Sequence, residues 1–530
     1  MDRNEQLQRL TERDEPWDMV IIGGGATGAG IALDAAARGY AAALLEQHDF
    51  GKGTSSRSTK LVHGGVRYLQ QGNISLVMEA LKERGLLLRN APHLVRDLAF
   101  IVPNYDWWEA PFYGLGMKVY DLLAGRYGFG RSRILSKEEV LKRIPTIEQD
   151  GLRGGVLYYD GQFDDARLLI NLVQTAVERG AAAVNYVRVV GITRDAEGMA
   201  AGVVAEDVES GRTLTVPARC VINAAGPFAD AVRRMDEPEA APMIAPSRGS
   251  HIVLDGSFLP GGVAIMVPRT RDRRVMFAIP WLGRVVVGTT DVPADNADLE
   301  PRATEEEIEY ILETAGPYLE RPPTRRDIRS VFAGIRPLVR SGEAASTAAL
   351  SRDHTVQISS SGVVTVVGGK WTTYRKMAED AVDHAAMVAK LDEQPCPTRE
   401  LPIHGACEPA ADAADPLAGF GADAREIAEL ARRDPVLGQV LDPALPITPA
   451  QVVWAARHEL ARTVEDVLAR RTRCLLLDAA ASMRVAPAVA AVLARELGRD
   501  EAWERAQVRE FDAVAAGYLP RGAGGYSGSE

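Results

Sequence analysis

Apolar runs separated by glycine-rich turns dominate the first fifty residues and predict alternating strands and helices. The apolar run 19–22 leads into a G-x-G-x-x-G motif at 23–28, and a helical pattern continues to Ala36. A second apolar run, 41–45, ends at Glu46. This order of strand, glycine turn, helix and acid-terminated strand predicts the first βαβ unit of a dinucleotide-binding domain.

The motif glycines and the acid have separate tasks in such a unit. Gly23 allows the tight turn after the strand, Gly25 lets the backbone approach a pyrophosphate, and Gly28 lets the helix pack closely on the strand. The first N–H groups of the helix are donors for the phosphates. Glu46 is expected to accept hydrogen bonds from a ribose diol. We therefore predict that these four residues bind a cofactor.

Later segments predict a second, sheet-rich part and a helical C-terminal part. Helical spacing or a capping box predicts helices at 74–90 and 165–180, after 136–139, 304–307 and 448–451, and over 452–468. Apolar runs that alternate with turns over 247–292 favour an antiparallel sheet, whereas 105–133 shows no clean periodicity. A buried strand is predicted at 363–367, and a helix is expected to begin near Thr372.

The dinucleotide-binding fold is discontinuous in this interpretation, because its first and last strands lie near residues 19 and 365. We predict the following domains: a nucleotide-binding domain over 17–400, a substrate-binding domain inserted at about 75–165 and 240–345, a helical domain at 401–520, and a disordered Gly/Ser-rich tail at 521–530. An interrupted fold of this kind is typical of flavoproteins rather than of NAD dehydrogenases.

The composition is that of an acidic globular protein. The chain has 530 residues and a net charge of −11, which argues against nucleic-acid binding, so an anionic substrate would need a local cluster of basic residues. The four cysteines form no C-x-x-C pair and no metal-ligand spacing, so we expect reduced thiols, no metal site and a cytoplasmic location. The charged N-terminus lacks a signal-peptide pattern, and no apolar run is long enough to span a membrane.

A series of short motifs extends from residue 19 to about residue 380. They are IIGGG at 21–25, TSS at 54–56, KLVHGGVRYL at 60–69, NAAGP at 223–227, GSH at 249–251, GTTD at 288–291, GIRPL at 334–338 and GGKWTTYR at 368–375. In this order they resemble the FAD-dependent glycerol-3-phosphate dehydrogenases of the aerobic respiratory type, and RTVEDVLARR at 462–471 resembles that family's C-terminal domain. The resemblance implies an α/β fold in which a Rossmann-type FAD-binding domain is interleaved with an antiparallel-sheet substrate domain, as in glycine and D-amino-acid oxidases, followed by a C-terminal helical domain.

The resemblance also implies an activity and partners. The family oxidises sn-glycerol 3-phosphate to dihydroxyacetone phosphate by hydride transfer to FAD, passes the electrons to membrane quinone, and is peripheral on the inner face of the cytoplasmic membrane. The segment 105–133 contains aromatic residues, among them Trp107, Trp108 and Phe112, and flanking basic residues, which suit an interfacial membrane contact. A covered core or the interface of a homodimer is the alternative for this segment.

Basic residues in glycine-flanked segments offer a site for the substrate phosphate, which needs fixed positive charge and directional donors. Arg67, Arg336 and Lys370 lie in such segments close to predicted strand ends. Any single arginine could instead form a surface ion pair. The resemblance places Arg67, Tyr68, His251, Arg336 and Lys370 around the substrate.

Oxidation of an alcohol also needs a base that takes the hydroxyl proton. His63 is the first candidate, because the ordinary pKa of histidine lies close to neutrality and Gly64 and Gly65 allow close approach of the backbone. A structural histidine is the alternative interpretation. His251 is the second candidate base, or a donor that orients the substrate, and Arg336 and Lys370 complete the predicted catalytic set.

Further contacts with FAD are predicted in the turns that follow strands. They involve Thr54, Ser55 and Ser56, Val189 through its backbone, Ala225 and Gly226, and Gly369, Lys370 and Thr372. A helix start at 369–373 would stabilise negative charge on the reduced flavin. Two other activities stay open on this fold: a glycerol-3-phosphate oxidase that uses O2, and an FAD amine or amino-acid oxidase, which would need fewer phosphate-binding cations.

Overall fold

The computed structural model describes residues 1–65, 73–268, 270, 274–340, 353–410 and 415–520. The strands are β1 (Trp17–Ile22), β2 (Ala42–Leu45), β3 (Leu61–Val62), β4 (Val95–Asn104), β5 (Arg133–Ser136), β6 (Gly154–Phe163), β7 (Ala182–Val184), β8 (Val187–Arg194), β9 (Ala200–Asp207), β10 (Thr213–Asn223), β11 (Ile244–Asp255), β12 (Ala264–Val267), β13 (Met276–Trp281), β14 (Arg284–Gly288), β15 (Val292–Pro293), β16 (Ile328–Val339), β17 (His354–Ile358) and β18 (Val364–Gly368). The α-helices are Arg3–Thr11, Ala26–Ala37, Ile74–Asn90, Glu109–Ala124, Lys137–Arg143, Asp165–Glu178, Ala229–Asp236, Glu305–Ala315, Tyr374–Val388, Ala424–Arg433, Pro449–His458, Cys474–Leu477, Ala479–Leu497 and Glu501–Ala515. The predicted residues Arg67 and Tyr68 and the tail 521–530 lie outside the described part of the chain.

The first sheet has the order β17-β18-β10-β1-β2-β7. Strands β18, β10, β1, β2 and β7 are parallel, and β17 pairs antiparallel with β18. Since β1 begins at residue 17 and β18 at residue 364, the predicted discontinuity of this fold is confirmed. The carboxyl ends of the parallel strands lie along one edge of the sheet, where doubly wound folds bind ligands.

Three helices cover one face of this sheet. The helices Ala26–Ala37, Asp165–Glu178 and Tyr374–Val388 share one buried core with the strand residues Met19 and Ile222. A parallel sheet buried beneath helices explains the continuous apolar runs of its strands.

The second sheet has the order β15-β11-β14-β13-β12-β4-β6-β3, with β16 on β11 and β5 on β6. Its pairs are antiparallel except β4 with β12. The antiparallel sheet predicted for 247–292 is therefore confirmed. Helix Glu305–Ala315 packs beneath it and begins at the capping box of Thr304 and Glu307, as the sequence predicts.

The C-terminal helices form a separate buried core that also contacts the second sheet. The predicted capping box of Thr448 and Gln451 starts helix Pro449–His458. The prediction of continuous helical structure over 452–468 is wrong. The chain turns at Leu460, whose φ is +54°, and resumes as a π-helical segment, Asp466–Arg471.

The segment 105–133, which has no clean apolar periodicity, contains the helix Glu109–Ala124. Tyr113, Met117 and Tyr120 are buried, whereas Phe112 and Leu115 are exposed. Because apolar residues occupy both faces of this helix, its sequence lacks the one-sided pattern that identifies a surface helix. Within the described ranges, no helix has both the length and the apolar character to cross a bilayer.

Candidate active site

A cavity of about 660 Å³ lies where residues from both sheets meet. Its walls include the turns after β1, β2, β10 and β18 and side chains from β11, β12 and β16. The predicted residues that line it are Gly23, Gly25, Glu46, Thr54, Ser55, His63, Val189, Ala225, Gly226, His251, Arg336, Gly369, Lys370 and Thr372. The fold therefore brings together most of the residues that the sequence singled out.

The glycine motif forms the turn at the end of β1. Gly23 has φ +109°, and a Cβ atom there would lie 2.7 Å from the carbonyl oxygen of Ala224. Gly25 caps helix Ala26–Ala37. Gly28 is buried, and a side chain there would collide with the carbonyl of Gly23, so this glycine serves helix packing. The turn leaves a helix N-terminus facing the cavity, which is a site for an anionic phosphate.

Glu46 lies at the end of β2 beside this turn. Its Oε2 accepts a hydrogen bond from the Gly24 N–H at 2.7 Å, and its Oε1 accepts one from the His48 N–H at 2.8 Å. Burial raises the pKa of this carboxyl above its ordinary value. Each carboxylate oxygen keeps capacity for a second hydrogen bond, as a ribose contact requires.

The loop after β2 contacts both the turn after β1 and the turn after β18. The Ala26 N–H donates to Ser55 Oγ at 2.9 Å, and Trp371 Nε1 donates to the Ser55 carbonyl at 2.8 Å. Ser56 differs from the prediction. Its side chain is buried, and Ser56 is not one of the described residues that line the cavity. Its carbonyl instead accepts hydrogen bonds from Lys60 and Arg473.

A second helix start faces the cavity after β18. Gly369 has φ +73°, and a short 3-10 turn, Trp371–Thr373, leads into helix Tyr374–Val388. Two turns that present backbone N–H groups, with Glu46 beside the first, are the features that a dinucleotide with a redox-active ring needs. These residues fit FAD.

His63 directly follows β3 and lines the cavity. Its backbone N–H donates to Thr372 Oγ1 at 3.2 Å, which fixes the backbone against the turn after β18. The next residue, Gly64, donates its N–H to Tyr120 Oη at 2.8 Å. His63 is therefore held between the start of the second helix and the helix Glu109–Ala124.

His251 lies on β11 and lines the same cavity. Its ring stacks on Phe332 with a centroid distance of 4.7 Å, and the absent side chain of Gly288 leaves room for it. Burial lowers the pKa of His251 well below its ordinary value, and the positive charges of Arg336 and Lys60 act in the same direction. The imidazole is therefore neutral at physiological pH and suits hydrogen bonding to a substrate.

Arg336 extends from β16 into the same cavity. Its Nη2 donates to the Thr290 carbonyl at 3.0 Å and to Thr289 Oγ1 at 3.2 Å. Its Nη1 lies 3.5 Å from Asp291 Oδ1. These contacts orient the guanidinium while its charge remains at the cavity wall.

Arg274 is a residue of this site that the sequence analysis missed. It lines the cavity, and its Nη1 lies 2.6 Å from Asp291 Oδ2, so Asp291 contacts both arginines. The available signal was the run of basic residues immediately before the apolar strand β13, in a region interpreted only as a turn between strands. Arg274, Arg336 and Lys370 are three of the five described lysine and arginine side chains that line this cavity. The other two, Lys52 and Arg57, both contact Glu300.

Comparisons with known proteins agree with this geometry. The profile of the FAD dependent oxidoreductase family matches residues 18–375, and that of the C-terminal domain of alpha-glycerophosphate oxidase matches 364–504. The probable mitochondrial glycerol-3-phosphate dehydrogenase of Caenorhabditis elegans is 41% identical over 96% of this chain and 74% of its own length.

Two solved structures are similar to this fold. The glycerol-3-phosphate dehydrogenase from Bacillus halodurans, complexed with FAD, is 30% identical, with a TM-score of 0.78 over 98% of this chain and 97% of that chain. Glycine oxidase from Geobacillus kaustophilus is 19% identical, with a TM-score of 0.52 over 73% of this chain and 99% of that chain. The second likeness concerns the fold alone and confirms the predicted glycine-oxidase-like architecture.

Proposed function

We propose that this chain, which belongs to the family of FAD-dependent glycerol-3-phosphate dehydrogenases, oxidises sn-glycerol 3-phosphate to dihydroxyacetone phosphate and passes the electrons to a membrane quinone. One observation carries the choice of substrate. Arg274, Arg336 and Lys370 converge on a cavity that also contains His63 and His251 beside the FAD-type turns. A phosphorylated small alcohol needs this combination of an anion site and a proton acceptor.

FAD would lie against the first glycine turn. Gly23, Gly25 and the start of helix Ala26–Ala37 would hold its pyrophosphate, and Glu46 would accept hydrogen bonds from the ribose. Further contacts are proposed from Thr54, Ser55, Val189, Ala225, Gly226, Gly369, Lys370 and Thr372. When bound, FAD supplies the acceptor for the hydride that leaves C2 of the substrate.

The basic residues would fix the substrate phosphate and so position C2. Arg336 and Arg274 are oriented by the shared carboxylate of Asp291, which limits the side-chain entropy lost when the phosphate binds. Lys370 would add a third positive charge. Arg67 and Tyr68, outside the described ranges, are proposed to complete this site.

His63 would take the C2 hydroxyl proton as the hydride leaves, so that an alcohol becomes a ketone with no charge left on its oxygen. His251 would hydrogen-bond the substrate oxygen and orient it, a role that suits an imidazole whose lowered pKa keeps it neutral. The two histidines thus divide the tasks of base and orienting group.

Electron transfer to quinone is proposed to occur at the inner face of the cytoplasmic membrane, with helix Glu109–Ala124 as the contact. Leu115 and Leu122 are 68% and 79% exposed on this helix, and Trp107 is 77% exposed just before it. Apolar side chains displayed together on a helix, with basic residues such as Lys118 nearby, favour the interfacial region of an anionic bilayer. A homodimer that buries this helix is the competing arrangement.

The test is a product and acceptor assay on the FAD-loaded protein. With sn-glycerol 3-phosphate and a soluble quinone, we expect equal amounts of dihydroxyacetone phosphate and reduced quinone. Air in place of quinone should give slow turnover and little hydrogen peroxide. Fast, stoichiometric peroxide formation would instead identify an oxidase, and the absence of dihydroxyacetone phosphate would refute the proposed reaction.

A further inference from the structure

The hydroxyl of Thr59 lies 3.0 Å from Nε2 of His251. Among the described residues, this is the imidazole's one hydrogen bond, since Nδ1 is buried without a partner there. Stacking on Phe332 fixes the plane of the ring, but it does not determine which nitrogen carries the proton. A threonine hydroxyl can donate or accept, so the direction of its hydrogen bond with Nε2 decides which ring nitrogen carries the proton.

Thr59 belongs to a short segment whose backbone is anchored on both sides. The Ser58 N–H and Oγ donate to Asp165 Oδ2 at 3.0 and 2.7 Å. Lys60 Nζ donates to the same oxygen at 2.7 Å. Lys60 has φ +65°, a conformation that costs energy for a residue with a side chain, so the contacts with Asp165 must hold the segment in place.

The anchor extends into the C-terminal helical region. Arg473 Nη2 donates to Asp165 Oδ1 at 2.7 Å and to the Ser56 carbonyl at 2.9 Å. Lys60, Asp165 and Arg473 are all at most 1% exposed. Charges this deeply buried are stable only when they are paired and hydrogen-bonded, so Asp165 needs both of its cationic partners.

We propose that Thr59 is a positioning residue for His251 and that Asp165, held by Arg473 of the C-terminal region, keeps Thr59 in place. The Thr59 hydroxyl donates to Nε2, which leaves the ring proton on Nδ1, the atom that has no protein partner among the described residues. Nδ1–H then donates to the substrate oxygen. This inference rests on the proposed function, because it takes the substrate as the ligand of His251.

The variants Thr59→Val and Thr59→Ser test this role. Valine keeps the shape and removes the hydroxyl, whereas serine keeps the hydroxyl. We expect Thr59→Val to slow flavin reduction by sn-glycerol 3-phosphate by about 10- to 100-fold, because the donor to the substrate oxygen is no longer fixed. Thr59→Ser should recover most of that rate. FAD content and thermal midpoint should be the same in Thr59→Val and Thr59→Ser.

A second readout needs no turnover. The 15N chemical shifts of histidine, with the His251 signals assigned through His251→Asn, report which ring nitrogen carries the proton. We expect the Nδ1–H form in the wild type and Thr59→Ser, and a mixture of tautomers in Thr59→Val. An Nε2–H form in the wild type, or the same tautomer in all variants, would overturn the proposal.

The anchor is tested by Ser58→Ala and Arg473→Lys, each combined with Thr59→Val. If both act through Thr59, each double variant should be little slower than Thr59→Val alone. If the two substitutions of a double variant each slow flavin reduction independently, so that their rate factors multiply, the anchoring role is refuted. If the wild type itself is not reduced by sn-glycerol 3-phosphate, the proposed function fails. If the wild type is reduced and Thr59→Val is reduced equally fast, this inference alone fails.

Discussion

The Nη1 atom of Arg471 lies 2.6 Å from Oδ2 of Asp49, and this fully buried ion pair joins the C-terminal helical region to the turn that follows Glu46. Arg470 contacts the same carboxylate. Burial alone would raise the pKa of Asp49, but the charges of Arg471 and Arg470 outweigh it and hold that pKa at about 2. The C-terminal region therefore supports the loop that is proposed to bind FAD.

Asp49→Asn should destabilise the protein strongly, because it removes the carboxylate that two buried guanidinium groups share. Arg470 still contacts Glu465 and Asp466, whereas Arg471 is left with Glu459 at 3.8 Å. The expected loss is about 3–5 kcal/mol in the free energy of unfolding. Denaturant titration measures it, with Glu496→Gln as the control, since its partner Arg457 is mostly exposed and that pair should contribute less than about 1 kcal/mol. Equal losses of unfolding free energy in both variants would show that the buried ion pair at Asp49 stabilises the protein no more than an exposed pair does.

His63→Ala should retain FAD and slow flavin reduction by about 10²-fold or more, because the substrate hydroxyl loses its base. Stopped-flow absorbance of the flavin measures the rate. His384→Ala, in helix Tyr374–Val388 and outside the cavity, is the control and should react normally. Reduction of the His63 variant at the wild-type rate would exclude His63 as the base.

Arg336→Ala and Arg274→Ala should each raise KM for sn-glycerol 3-phosphate by roughly 10- to 100-fold, since each loses a charge-assisted hydrogen bond to the phosphate. FAD content should change little. Arg329→Ala, which removes an exposed arginine from the same strand as Arg336, is the matched control. A KM near the wild-type value in either site variant would remove that residue from the phosphate site.

His404 should make stability depend on pH. It lies between Glu178 and Asp423; burial opposes its charge, but the two carboxylates outweigh this and raise its pKa from 6.5 to about 9. Because the folded pKa is the higher one, the stabilisation is complete below pH 6.5 and is lost as the pH rises through about 9.

Denaturant titrations of wild type and His404→Gln measure this effect. The difference in unfolding free energy should be large at about pH 6 and small at about pH 10. A difference that stays constant over this range would mean that His404 contributes through packing rather than charge.

The exposed face of helix Glu109–Ala124 should mediate membrane contact. Phe112→Ser combined with Leu115→Ser should weaken co-sedimentation with anionic vesicles, since less apolar area enters the interface. Val190→Ser, which removes an exposed apolar side chain from β8, should leave co-sedimentation unchanged. The contrary outcome is that the helix variant sediments with vesicles like the wild type, and that the wild type is a dimer whereas the variant is a monomer. The helix would then be a subunit interface.

Local patterns predicted much of the fold. The βαβ unit, the antiparallel sheet over 247–292 and the capping boxes at Thr304 and Thr448 depend on neighbouring residues, so the sequence alone identifies them. Helix Glu109–Ala124 was missed because its two faces are both apolar. The break at Leu460 is set by packing against other elements, which no local spacing reveals.

The site could be predicted only where a motif marks it. His63, His251 and Arg336 lie in glycine-rich segments that the family resemblance identifies. Thr59 became visible only through its contact with His251, which lies far along the chain, and the basic run that contains Arg274 did not reveal its contact with Asp291. The contacts of the Ser56 carbonyl with Lys60 and Arg473 are likewise beyond what a local pattern reveals.

Anaerobic reduction of the bound flavin tests both the proposed substrate and the proposed phosphate site. The purified FAD-loaded protein is mixed with sn-glycerol 3-phosphate, and with plain glycerol as the control, while the visible absorbance of the oxidised flavin is followed. We expect rapid bleaching by the phosphate ester and none by glycerol. Equal bleaching by glycerol would contradict the role of the three basic residues, and no bleaching by either compound would contradict the proposed substrate.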